Sequence, residues 1–317
     1  MAILVTGALG VIGTRLTEEL RDHGYDVKTA DMKILQSPDY IRADVCRYGE
    51  LARAFERWDI EHVYHFAGEV GRENGELFPN RCVDVNVSGT LNLIQLCKEA
   101  GARLYFASTS EVYGERGADV RLTEDLMGSD GILPHNCYGL SKLQAEHYLM
   151  HYVQHYGLEA LSFRFFMCYG PPEYPNPFRS AMTNFVHSAL TGQRISLHRN
   201  TARSWCYIDD IVRACRMAME GFDPARGYQA YNIGRDDLRS MDDTARLIFR
   251  LAGASEDLID VAEPGPFVTR VKNASFDKAK EHFGYESHIS VEEGVERTIA
   301  WQRNVVLAPA APAAVRA

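Results

Sequence analysis

The 317-residue chain has no apolar run approaching the ~20 residues of a membrane span. Its first strand-like stretch begins at residue 2, which leaves no room for a signal peptide and leads us to expect a cytoplasmic protein. A surplus of basic residues is also missing. With 34 Lys and Arg against 43 Asp and Glu, the net charge of -9 argues against a nucleic-acid surface. The seven cysteines (46, 82, 97, 137, 168, 206 and 215) are odd in number, scattered and never in C-x-x-C spacing. Disulfides and a structural zinc are therefore not expected. There is no internal repeat. With 46% hydrophobic residues, the chain can bury a large core.

Strand-like and helix-like stretches alternate through the first half, the pattern of a parallel sheet covered by helices on both faces. Strands fit Ala2–Thr6, Asp26–Ala30, His62–Phe66, Arg103–Ala107 and Ala160–Phe165, and helices fit Val11–His23, Tyr48–Glu56, Arg81–Ala100 and Cys137–Tyr156. After Gly170 the proline-rich PPEYPNPF breaks the alternation, so residues 1–169 read as a dinucleotide-binding domain and 170–305 mainly as a smaller substrate-binding lobe. The alanine- and proline-rich end, 306–317, reads as a disordered tail.

Chemistry enters at two places. MAILVTGALGVIGTRL runs from a short apolar strand into a turn with Gly7, Gly10 and Gly13 and then into a helix. Glycines there let the backbone approach a pyrophosphate, and the free N–H groups of the helix start favour the anion. The spacing is G-x-x-G-x-x-G, a loose match to the generic fingerprint. Asp31 ends the next strand, where an acid binds a ribose 2′-hydroxyl and repels a 2′-phosphate. NAD is thereby favoured over NADP. The second place is Tyr138 and Lys142 in CYGLSK, following Thr109 and Glu111 in FASTSEVYG. Residues four apart share a helix face, so Lys142 is expected to stabilise a Tyr138 phenolate. Moving a tyrosine towards neutrality takes ~3 pKa units, or roughly 4 kcal/mol. A cation at ~4 Å in an effective dielectric of ~20 supplies about that.

These motifs together resemble the extended short-chain dehydrogenase/reductase family, in its NAD-dependent nucleotide-sugar epimerase/dehydratase branch. The likeness runs through TGALGVIG, Asp31, Asp44-Val45, HFAG, NVSGT, STSEVYG, YGLSK, RFFMCYGPP and RSWCYIDD to DKAKEHFGY. It implies a Rossmann-type fold, with the segment around 203–235 threading back to the first domain, and a tightly held NAD. By the same likeness Gly7, Gly10, Val11, Ile12, Gly13, Asp31, Met32, Asp44, Val45, Phe66, Ala67, Gly68, Asn86, Ser108, Tyr138, Lys142, Phe165 and Phe166 would line the cofactor. Glu69, Thr109, Met167, Arg203 and Arg270 would meet a nucleotide-diphosphate sugar. Tyr138, Lys142, Thr109 and Glu111 would be catalytic.

The resemblance leaves three outcomes open after oxidation at sugar C4. Epimerisation needs only the core set and ranks first; decarboxylation of a uronate ranks second. Dehydration would use Glu111, but Ser110 stands where the commonest 4,6-dehydratases carry aspartate. Met167 stands where relatives usually place asparagine. A silent NAD-sensing protein and a simple carbonyl reductase are the rivals from other classes. His147, His151 and His155, with Tyr148, Tyr152 and Tyr156, form a stripe on one helix. Without a glutamate between the histidines or a third ligand, no metal is expected there. A homodimer contact is.

Overall fold

The structure, a computed structural model, describes residues 2–117, 119–128, 133–264 and 269–308. Seven strands form the central sheet: β1 (Ala2–Thr6), β2 (Asp26–Asp31), β3 (Tyr40–Arg42), β4 (Ile60–His65), β5 (Arg103–Thr109), β6 (Ala160–Phe165) and β7 (Gln229–Ile233). Their order is β7-β6-β5-β4-β1-β2-β3, and every pairing is parallel. This is a doubly wound Rossmann-type α/β fold.

Side chains alternate across a strand, so β1 serves two cores. Ile3 and Val5 pack on one face with Leu16 and Leu20 of α1 (Val11–Asp22). Leu4 packs on the other with Leu51 of α2 (Tyr48–Arg57), Leu93 and Ile94 of α3 (Gly89–Ala100), and Leu149 of α4 (Cys137–Tyr156). The first core continues without a break into the later part of the chain. It takes in Met182 and Phe185 of α5 (Ala181–Thr191), Ile211 and Val212 of α6 (Ile208–Glu220), Ile248 of α7 (Met241–Ala252) and Val295 of α8 (Val291–Trp301). Residues after Gly170 thus do not build a separate interior. β7 lies beside β6 in the large sheet, and three two-stranded ribbons flank it.

Differences from the sequence reading are local. The stretch expected as one helix over Arg81–Ala100 is α-helical at Pro79–Arg81, π-helical at Cys82–Ser88 and α-helical again at Gly89–Ala100. β3 and β7 carry no alternation long enough to be read in advance. Of the expected tail, Val306 closes a π-helical turn, and 309–317 lie outside the described residues.

The strand order reverses between β1 and β4, which opens a crevice at their carboxyl ends. His65 fixes the two strand ends to each other. Fully buried, it hydrogen-bonds Thr6 Oγ1 at 2.9 Å and Thr90 Oγ1 at 3.1 Å.

Candidate active site

A cleft of about 1040 Å³ runs from the crevice to the ribbons of the later segment. Gly7, Gly10, Val11, Ile12, Gly13, Asp31, Met32, Val45, Phe66, Ala67, Gly68, Glu69, Ser108, Thr109, Glu111, Tyr138, Lys142, Phe165, Met167 and Arg203 all line it. Four residues expected there do not. Asp44 turns its carboxylate to the Cys46 N–H at 2.9 Å. Asn86, fully buried, holds the Glu69 backbone on both sides, at 2.9 and 3.0 Å, and Ser141 Oγ at 2.9 Å. Phe166 packs edge-on against Phe276. Arg270 is exposed, and its backbone carbonyl accepts from Arg203.

At the crevice end, Gly7 adopts φ 67°, and a Cβ on it would lie 2.5 Å from Ala67 N. Only glycine meets both demands. The first turn of α1 follows with no side-chain cap and no acidic residue, leaving its N–H groups for an anion. Asp31, at the end of β2, is held by the N–H groups of Leu9 at 3.0 Å and Lys33 at 3.2 Å. Bare turn, uncapped helix start and oriented acid fit a dinucleotide.

Asn136 starts α4 by accepting the Gly139 N–H at 2.7 Å, and Gly157, at φ 70°, ends it. Gly139 lets α4 press on the Glu111 carbonyl, where a Cβ would lie 2.8 Å from the oxygen. That contact sets Tyr138 against Thr109. The Thr109 hydroxyl accepts the Glu111 N–H at 3.2 Å and hydrogen-bonds the Tyr138 phenol.

The dyad differs electrostatically from the sequence expectation. Burial pushes the Tyr138 phenol up to about 12, and the hydrogen bond from Thr109 works against that rise. Lys142 makes no measurable contribution to it. Burial draws Lys142 itself down to about 7, with Cys82 and Glu146 opposing. Its Nζ lies 4.6 Å from the Phe106 ring centroid and 3.0 Å from where a Gly68 Cβ would stand. Desolvation of both groups outweighs their attraction.

Beyond the phenol lies an ion pair that includes a residue the motifs did not reveal. Lys272, fully buried, donates to Glu111 Oε1 at 2.6 Å and Ser110 Oγ at 3.2 Å, and Asn136 donates to Glu111 Oε2 at 3.0 Å. Burial would raise the Glu111 carboxyl, but Lys272 and Arg72 hold it down at about 2. Burial lowers Lys272 to about 8, so both partners stay charged at neutral pH. Arg203 is also buried, and it donates to the carbonyls of Ala202 at 2.8 Å, Arg270 at 2.9 Å and Thr269 at 2.5 Å. Burial and the nearby Arg72 lower it to about 10. Met167 takes φ 36°, a left-handed conformation that asparagine tolerates better.

A Rossmann crevice with a tyrosine–lysine helix beside it defines a dinucleotide-dependent enzyme of the short-chain dehydrogenase/reductase type. Residues 3–234 match the model of the NAD dependent epimerase/dehydratase family, and the chain belongs to that family. It is 30% identical over 306 residues to UDP-glucuronic acid decarboxylase 6 of Arabidopsis thaliana, covering 93% of this chain and 87% of that one. It is equally 30% identical over 325 residues to UDP-glucuronate 4-epimerase of Thermodesulfobacterium geofontis, covering 95% of each. The crystal structure of Thermus thermophilus UDP-glucose 4-epimerase in complex with NAD superposes with a TM-score of 0.85 at 26% identity, over 96% of this chain and all of that one.

Proposed function

We propose that the protein is an NAD-dependent nucleotide-sugar 4-epimerase working through a transient 4-keto sugar. When bound, NAD supplies reversible hydride acceptance at C4 and a positive charge in the cleft. Tyr138 takes the proton from O4 and returns it after the ketone has turned its other face. Thr109 donates a hydrogen bond that favours the phenolate. Lys142 contributes its charge when protonated and anchors the ribose. The observation that carries the reading is the state of Glu111. Ionised, and tied to Lys272 and Asn136, it is a poor base for C5 and can only accept from a sugar hydroxyl. With Ser110 in the neighbouring position, no free acid and base remain for dehydration.

A second reading rests on Arg72, Arg203 and Lys272, which surround Glu111 with more positive than negative charge. Such a surround suits a carboxylate at C6. A nucleotide uronate oxidised at C4 is a β-keto acid that loses carbon dioxide readily, and Tyr138 would reprotonate C5. Incubation with UDP-glucose and UDP-glucuronate, followed by chromatography and mass spectrometry, separates the outcomes. Unchanged mass with altered retention is the epimerase result, loss of carbon dioxide the decarboxylase result, and loss of water would overturn both. The homodimer is part of this proposal. Exposed Tyr148, Tyr156, His151 and His155 share one surface of α4, with Lys98 of α3 over the Tyr156 ring at 4.9 Å. A monomer alone in sedimentation at micromolar concentration would remove it.

A further inference from the structure

One turn beyond Lys142 on the same face of α4 stands Glu146, which the reaction does not use. It is 2% exposed and paired with Arg164 of β6, which is 3% exposed. Arg164 donates from its terminal nitrogen to Oε2 at 2.7 Å and from Nε to Oε1 at 3.1 Å. Ser108, on the cleft wall, donates its hydroxyl to Oε1 as well. Arg164 also donates to the Tyr113 hydroxyl at 2.8 Å, which passes its proton to Asn232 Oδ1 at 2.7 Å. Four elements meet here: α4, β5, β6 and the turn Ser110–Tyr113. A bare structural pair would explain the burial. It would not explain why the carboxylate sits one turn from the buried lysine of the dyad and bonds a cleft residue.

Lys142 has no carboxylate at ion-pair distance among the described residues. The titratable groups that face it are Glu146 on its own helix, Cys82 from the π-helical turn and His65 from β4, with the Phe106 ring beneath its Nζ. Cys82 is pushed up by burial, and His65 is held neutral at about 3 by burial and by Lys142 itself. Glu146 is therefore the one fixed negative charge among them. Nothing else close by offsets the desolvation of the ammonium.

We propose that Glu146, clamped by Arg164 and Ser108, is the positioning residue that keeps the Lys142 ammonium protonated and turned into the cleft. The proposal rests on the reading of Tyr138 and Lys142 as the working dyad, and its test is chosen to stand apart from that reading. In protein labelled with [ε-13C]lysine, the titration of Lys142 is followed by NMR, with the assignment made by Lys142→Met. Glu146→Gln/Arg164→Met removes both charges and so leaves no lone buried ion. It should lower the Lys142 pKa by about one unit, a tenfold loss of proton affinity. Tyr113→Phe, which cuts the Arg164 chain but spares the carboxylate, should leave that pKa in place. The alkaline limb of kcat should move down with it in the double variant. An unchanged Lys142 titration, or an equal shift in Tyr113→Phe, overturns the proposal. Should the double variant fail to fold, Glu146→Asp replaces it: a smaller lowering in the same direction supports the proposal, and none overturns it. A protein that turns over no nucleotide sugar would refute the functional reading while leaving the NMR result intact.

Discussion

Replacing Gly13 by alanine tests the dinucleotide cradle without touching any side chain. A Cβ there would lie 2.9 Å from the Gly7 carbonyl carbon and 3.0 Å from Ala8 Cα, and nearer still to the Gly7 oxygen. Restoring ordinary carbon contacts of about 3.5–4.0 Å demands roughly 1 Å of separation between α1 and the turn. The neighbours are backbone atoms, so no flexible side chain can absorb the strain. Overpacking of this kind costs about 1–3 kcal/mol of stability. A displacement of ~1 Å at a binding surface is worth about 100-fold. Gly10 provides the internal comparison, because its Cβ would meet only the Gly7 oxygen, at 3.1 Å. We expect Gly13→Ala to purify with little NAD and to bind added NAD about 100-fold more weakly by calorimetry, with Gly10→Ala impaired less. Wild-type NAD affinity in Gly13→Ala would refute the assignment of this turn to the dinucleotide.

Thr109→Val removes the hydrogen bond that opposes the rise of the Tyr138 phenol. Activity that needs the phenolate should then set in at higher pH, by about one unit for a bond worth ~1.5 kcal/mol; an unmoved acid limb of kcat counts against Tyr138 as the base. Lys272→Met strands the Glu111 carboxylate and should cost about 3–5 kcal/mol at pH 7 in urea denaturation. The Glu111 carboxyl is depressed to about 2 from a usual 4.5, so the stability it contributes is present above 4.5 and fades as pH falls towards 2. The gap between variant and wild type should therefore narrow over that window, and a gap constant from pH 7 to pH 3 would contradict the ion pair.

What could be read from the sequence was local. The glycine turn, Asp31, and the helix carrying Tyr138 and Lys142 with its stop at Gly157 are set by neighbours a few residues away, and α4 spans Cys137–Tyr156 as expected. Lys272 was hidden because its partner Glu111 is 161 residues distant and no motif surrounds it. Glu146 escaped for the same reason, since Arg164 lies on a separate strand. Asn86 and Phe166 were expected in the cleft but stand behind it, because a motif fixes the position of a side chain in the chain and not the direction in which packing turns it. The expected lysine-driven activation of Tyr138 assumed a partly solvated pair. Full burial reverses the balance.

The central claim is that chemistry begins by removing hydride from sugar C4. A nucleotide sugar carrying deuterium at C4, turned over in ordinary water, tests it most directly. The account predicts a slowed turnover and product that keeps its deuterium at C4. Label washed out into solvent, or product formed with C4 untouched and no isotope effect, would contradict it.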